Sequence, residues 1–189
     1  MHDSDADLVE RLKARDTAAF DVVYDRFHTR LYRFLVRLSR DRDRAQDLLE
    51  ETWLRLVTHA DRLRPDTLLG PWLFTVARNL YLSDCRARVL EQSDEVIFAQ
   101  PSGAPSPFEE TAANESQRRL EAALASLPLH YREVLLLVAV EGLTTSAAAT
   151  VCGISNDALR QRLSRGRAML AERMAAGALP QLKTREVIP

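Results

Sequence analysis

The chain has 189 residues, a formal net charge of −1, 46% apolar and 6% aromatic residues, which suits one or two small, mainly helical domains. That balance excludes an indiscriminate cationic coat for nucleic acid, so a nucleic-acid binder built from this chain must segregate its charge. No apolar run reaches the ~18–20 residues of a bilayer span, the acidic start MHDSDADLVE is not a signal peptide, and no membrane insertion is expected.

Asp5–Arg15 reads as a short amphipathic helix with Leu8, Val9 and Leu12 on its apolar side, and Asp16 is placed to cap the next helix. From Ala18 the apolar positions Phe20, Val23, Tyr24, Phe27, Leu31, Phe34, Leu35 and Leu38 recur every three or four residues, the mark of a long helix with one buried face. Beside them runs an arginine series, Arg26, Arg30, Arg33, Arg37, Arg40 and Arg44. Spacing alone leaves two readings open for it: a solvated face of arginine stems, or a surface for nucleic acid or an acidic partner.

Asp41–Asp43 breaks that helix, and Arg44–His59 forms the next. Its apolar side is Leu48, Leu49, Trp53, Leu56 and Val57; its charged side is Asp47, Glu50, Glu51 and Arg55, solvated or docked on a basic protein. Arg64–Pro71 is a loop, with Pro71 suited to the first position of a helix. Trp72–Arg88 then interleaves Trp72, Phe74 and Tyr81 with Arg78, Asn79, Arg86 and Arg88. Aromatic faces next to cations are what single-stranded DNA requires. Trp72 and Phe74 are expected in the core; Asn79 and the arginines are expected to act.

Leu90–Ser116 contains Pro101, Gly103, Pro105 and Pro107, little periodicity, and from Glu91 onward six acids without a Lys or Arg, so it reads as an acidic linker. The expected division is residues 1–90, a linker 91–116, residues 117–178, and a tail 179–189. Gln117–Leu127 and Tyr131–Glu141 are helices, the second strongly apolar, with Gly142 as a C-cap candidate. Cys85 and Cys152 fall within helical patterns and lack a CxxC partner, which suits reduced core thiols. His2, His28, His59 and His130 are scattered. No metal site, cofactor or catalytic set is expected, and an enzyme is the least favoured class.

Leu143–Leu170, LTTSAAATVCGISNDALRQRLSRGRAML, has helix-turn-helix grammar. A helix over Ser146–Val151 meets a turn at Gly153, and Ser155 caps a second helix. At 100° per residue, Leu159, Leu163, Gly166 and Leu170 share the inner stripe. Asp157, Arg160, Gln161, Ser164 and Arg165 face away from it, with Arg162 and Arg167 on the flanks. Those are the groups that read base edges and grip phosphates.

LPLHYREVLLLVAVEGLTTSAAATVCGISNDALRQRLSRGRAML, DLLEETWLRL and PWLFTVARNLYLSDCR, in this chain, resemble three segments of the extracytoplasmic-function (ECF) class of bacterial sigma factors, in the right order and over nearly everything from Asp5 to about Met174. The resemblance implies an all-α fold: two small helical domains on a flexible acidic linker, the C-terminal one holding the helix-turn-helix. It implies that Asp47, Glu50, Glu51 and Arg55 bind the β′ clamp helices of core RNA polymerase, and that apolar residues of the C-terminal domain meet the β flap. Arg78, Asn79, Tyr81, Asp84, Arg86 and Arg88 would read and melt the promoter −10 element, from which a base is extruded into a pocket. Ser155, Asn156, Asp157, Arg160, Gln161, Arg162, Ser164, Arg165 and Arg167 would read the −35 element. It further implies a cytoplasmic, non-enzymatic subunit, for which an anti-sigma factor is an expected partner. Two features depart from the family pattern: the first helix of the helix-turn-helix is Ala-rich (SAAATV), and Glu50 stands where the docking helix usually has Gln. The rival readings are an autonomous helix-turn-helix regulator that binds duplex DNA without polymerase, and a helical interaction protein that has lost DNA binding.

Overall fold

The computed structural model of the chain describes residues 3–94 and 115–178, and their regular structure is helical throughout. The Pro- and acid-rich centre of the expected linker and most of the expected tail lie outside these residues. The linker's edges are helical: α4 reaches Asp94 and α5 begins at Glu115.

Helix α1 (Asp5–Lys13) starts on Ser4, whose Oγ accepts from the Asp7 N–H at 3.2 Å. Helix α2 (Thr17–Ser39) starts on Asp16, which accepts from Ala18 N–H as its position suggested. Arg40 takes the left-handed conformation at the end of α2, and Asp41 at once caps α3 (Arg42–His59) through the Arg44 N–H. The joint between α2 and α3 is therefore shorter than the predicted three-residue break.

A 3₁₀ turn (Ala60–Arg62) leads to α4 (Leu69–Asp94). Pro71 is the third residue of α4 rather than the first; it stays inside the first turn, where an N–H has no helical acceptor to lose. The Leu69 N–H is satisfied from far along the chain, by Asp5 Oδ2 at 2.9 Å. No local pattern reports such a cap. Val57, expected on the inner side of α3, is 61% exposed.

In the C-terminal half, α5 (Glu115–Ala125) and α6 (Leu129–Leu135) are followed by a single π turn, Leu136–Val140. Gly142 ends it at φ 68°. Helices α7 (Thr145–Cys152) and α8 (Asn156–Ala178) complete the fold. The core of α1–α4 is built on Leu8, Val23, Leu31, Phe34, Leu49, Leu56, Leu73 and Phe74, with Phe34 and Phe74 edge to face at 5.2 Å. The same cluster continues through Val134, Leu136, Leu137, Ala148, Val151 and Leu159 of the C-terminal half. The two halves thus share one apolar core, while Leu124, Leu127, Leu135 and Leu163 form a smaller one beneath α5 and α8.

Candidate nucleic-acid interface

Thr144 Oγ1 caps α7 by accepting from Ala147 N–H at 3.1 Å. Gly153 ends α7 at φ 65°, and Ser155 Oγ accepts from Ala158 N–H at 3.2 Å to start α8. The inner stripe of α8 is as the periodicity predicts, with Leu159, Leu163 and Gly166 buried and Leu170 packed on the smaller core. A Cβ on Gly166 would stand 3.3 Å from Leu135 Cδ1 and 3.4 Å from Tyr131 Cβ, so the hydrogen side chain sets the approach of α8 to α6. Ser155, Asp157, Arg160, Gln161, Ser164, Arg165 and Arg167 are exposed. Asn156 and Arg162 are half-buried. Arg162 leans inward, with Nη1 3.7 Å from Glu133 Oε1.

Helix α4 treats its six candidate residues unequally. Asn79, Arg86 and Arg88 are exposed, with Arg86 donating to Ser83 Oγ at 3.1 Å and Arg88 paired to Asp84 at 3.4 Å. Tyr81, expected as a stacking platform, is only 6% exposed, and its ring is covered by the Arg44 guanidinium at 4.9 Å. Burial, then a hydrogen bond to Cys85, pushes its phenol up to about 12. Asp84 also pairs with Arg44, which donates on to Cys85 Sγ at 3.2 Å. Arg78 points across to the C-terminal half and grips Glu133 with two bonds, Nε to Oε2 at 2.7 Å and Nη2 to Oε1 at 3.2 Å. Burial there disfavours the Arg78 cation, but the Glu133 carboxylate outweighs it and the guanidinium pKa is raised.

A cleft of about 490 Å³ opens between α3 and α4 beside Asn79. Trp72 and His59 give it flat rings, Arg55 and Arg62 give it cations, and Asn79 and Ser83 give it neutral hydrogen-bonding groups. The clue in the sequence was the Trp72–Asn79 spacing of seven, which puts both on one face of a helix; nothing local brings His59 and Arg62 to it.

On α3, Asp47 and Glu50 are exposed, and Glu51 is held by Arg55 at 2.7 Å. Leu54 and Val57 join them on the outer face, 54% and 61% exposed. Sequence reasoning missed this mixed acidic and apolar surface because it assigned Val57 inward, although 47–50–54–57 is itself a helical stripe.

The arginine series from Arg26 to Arg44, which runs from α2 into α3, finds a third destiny. Arg26 pairs with Asp5, Arg30 with Glu141, Arg37 with Glu121 and Arg44 with Asp84. It is partly internal wiring. Among the described residues no three potential metal ligands come together, and no described helix is long and apolar enough to cross a membrane.

Residues 23–90 match the Sigma-70 region 2 family and residues 117–170 match Sigma-70, region 4. The ECF RNA polymerase sigma factor EcfG of Rhodopseudomonas palustris strain TIE-1 is 36% identical over 144 residues, 73% of this chain and 75% of that protein. The ECF RNA polymerase sigma factor SigE of Mycolicibacterium smegmatis is 31% identical over 188 residues, 91% of this chain and 73% of that one. In solved structures, the sigma factor RpoE in complex with the anti-sigma factor NepR from Bartonella quintana is similar with a TM-score of 0.66 and 26% identity, over 86% of this chain and 98% of that chain. Helix-turn-helix, family match and relatives agree: this chain belongs to the ECF family of RNA polymerase sigma factors.

Proposed function

We propose that the chain docks core RNA polymerase through the outer face of α3 and divides promoter recognition between α8 and α4. In this reading residues 1–90 dock polymerase and open DNA, 91–116 tether, and 117–178 read the upstream element. Asp47, Glu50, Glu51 and Arg55 meet the β′ clamp helices, with Leu54 and Val57 adding apolar area to the charge. Apolar residues of the C-terminal half meet the β flap. Asp157, Arg160, Gln161, Ser164 and Arg165 enter the major groove, where arginine and glutamine supply bidentate contacts to purines. The cleft beside Asn79 receives the base extruded from the −10 element, and its rings and cations replace the lost stacking. Polymerase performs the phosphoryl transfer; the sigma subunit is not an enzyme and works in the cytoplasm, where an anti-sigma factor holds it in reserve.

The observation that supports this reading best is the pairing of an exposed basic recognition face on α8 with a ring-and-cation cleft on α4 in one chain. The test is transcription by purified core polymerase, with and without the protein, from a library of promoter DNA. Specific initiation is expected. Failure to bind polymerase, together with tight binding to duplex DNA alone, would establish the autonomous-regulator reading instead. Asn79→Ala is expected to lower open-complex formation by roughly tenfold or more while polymerase binding is unchanged, since it removes a contact made only to the flipped base.

A further inference from the structure

We propose that Cys85 is a redox modification site: hydroperoxides oxidise it to a sulfenate, and the guanidinium groups of Arg44 and Arg132 hold the new anionic oxygen. The site stands on its own geometry; only its effect on promoter opening rests on the sigma reading above.

Cys85 is half-buried on α4, so a small peroxide can reach it, whereas Cys152 is buried. Arg44 Nη2 donates to the Cys85 Sγ at 3.2 Å, and the Tyr81 hydroxyl hydrogen-bonds the same sulphur. Arg44 arrives from α3, pairs with Asp84 and covers the Tyr81 ring. From α6 comes Arg132, only 7% exposed. Its Nη1 makes one long bond, 3.4 Å to the Ala125 carbonyl, and its buried Nε has no hydrogen-bond partner among the described residues. A buried guanidinium is stable only where acceptors or an anion match it. Burial lowers the Arg132 guanidinium below its ordinary value; Tyr81 and Cys85 act to raise it and Arg40 to lower it. Tyr81 stays a neutral phenol, since burial above all pushes it up to about 12. Of the groups acting on Arg132, Cys85 is therefore the one that can become the anion it lacks.

In the reaction the thiol proton of Cys85 passes to water, and the sulphur attacks one oxygen of the hydroperoxide. An S–O bond forms, the O–O bond breaks, and the electron pair leaves with the distal oxygen as hydroxide or alkoxide. That oxygen takes the sulfenic proton, giving a sulfenate and water or an alcohol; sulphur is oxidised by two electrons and the peroxide is reduced by two. Negative charge moves onto oxygen during the step, where charge-assisted bonds from guanidinium groups stabilise it most. Cys152 has the opposite setting: burial, then the Glu133 carboxylate, pushes its thiol up to about 12. One chain thus carries a reactive thiol and an inert one. Once Arg44 turns to the sulfenate, Asp84 is less well paired. The helix that meets promoter DNA becomes more negative, which weakens its hold on phosphates.

Dimedone, which traps sulfenic acids, tests this on the full-length protein in hydrogen peroxide, with labelling followed separately on the Cys85 and Cys152 peptides. In the folded chain Cys85 is expected to label roughly tenfold faster than in urea, and Cys152 more slowly than in urea. Acceleration above the unfolded rate cannot come from access alone. Arg132→Met is expected to remove most of it, as is Arg44→Gln; should either variant fail to fold, the folded wild type against urea still decides. A folded Cys85 that labels no faster than in urea would overturn the proposal, and so would acceleration that persists in both folded arginine variants. For the second arm, protein oxidised and then freed of peroxide is added to core RNA polymerase. Open-complex formation is expected to fall roughly threefold, to recover with dithiothreitol, and to be unaffected by peroxide in Cys85→Ser. Unchanged opening by the labelled-competent wild type would overturn the regulatory effect. A chain that labels as expected but ignores polymerase would overturn the sigma reading and leave the modification site standing.

Discussion

Gly153 and Gly166 look alike in the sequence and do opposite things. Gly153 needs its φ of 65° and has open space around a would-be Cβ, whereas Gly166 has ordinary helical backbone and a crowded neighbour. Gly153→Ala is therefore expected to cost about 1 kcal/mol from backbone strain alone, and Gly153→Asn less, since Asn tolerates the left-handed region. Gly166→Leu is expected to cost more, ~1–3 kcal/mol, by prising α8 from α6. Urea midpoints rank the three; equal losses would contradict this division of roles. The pH response of Glu141 is a second matter for single residues. Its carboxyl lies above the ordinary 4.5, chiefly through burial, with Arg30 pulling it back down. A raised carboxyl means the folded chain holds its proton to higher pH than the unfolded chain. That contribution to stability is complete below the ordinary value and is lost as pH rises through the raised one. Glu141→Gln mimics the protonated form, so its stability relative to wild type should climb across that window in paired urea titrations at successive pH values. A constant difference would remove Glu141 from the account.

At the scale of helices, α8 was legible almost whole, while α4 and α6 were legible in kind and not in detail. The stripe Leu159–Leu163–Gly166, the cap on Ser155 and the turn at Gly153 are local, and local geometry is what residue spacing encodes. The start of α4 is set by Asp5, 64 residues away, and the cover on Tyr81 by Arg44. The bond from Arg78 to Glu133 joins positions 55 apart. Tertiary neighbours decide these, and no window along the chain contains them. The Ala-rich α7 belongs to the same class: Ala148 and Ala149 are buried in the shared core. Their size is the packing solution that larger aliphatics would spoil. Exposed positions of α8 predict a clean separation of function from folding. Arg160→Ala with Arg165→Ala should leave the melting temperature within about 1 °C, because surface substitutions away from special features are nearly neutral. It should abolish dependence on the upstream element in transcription assays, each lost bidentate contact being worth ~1–3 kcal/mol. Equal loss on promoters with and without that element would place these arginines outside base reading.

For the whole molecule, the continuous core makes a statement about cooperativity that separate helical domains would not. Val134, Leu136, Ala148 and Leu159 belong to the same apolar cluster as Leu31, Phe34 and Phe74. Exposing one half therefore strips apolar surface from the other. The chain carries its own reporters for this. Both tryptophans, Trp53 and Trp72, lie in the N-terminal half, so their fluorescence follows that half alone, whereas far-UV circular dichroism follows helices of both. Coupled halves should unfold together, giving coincident fluorescence and circular-dichroism transitions in urea. Glu133→Gln weakens the link without touching either tryptophan, and on this view the dichroism transition should broaden or split while the fluorescence transition stays single. If the wild-type curves already separate, the halves are independent in solution and the shared core does not govern folding. If neither protein shows a split, apolar contact alone holds the halves together and the Arg78–Glu133 pair does not contribute to their coupling.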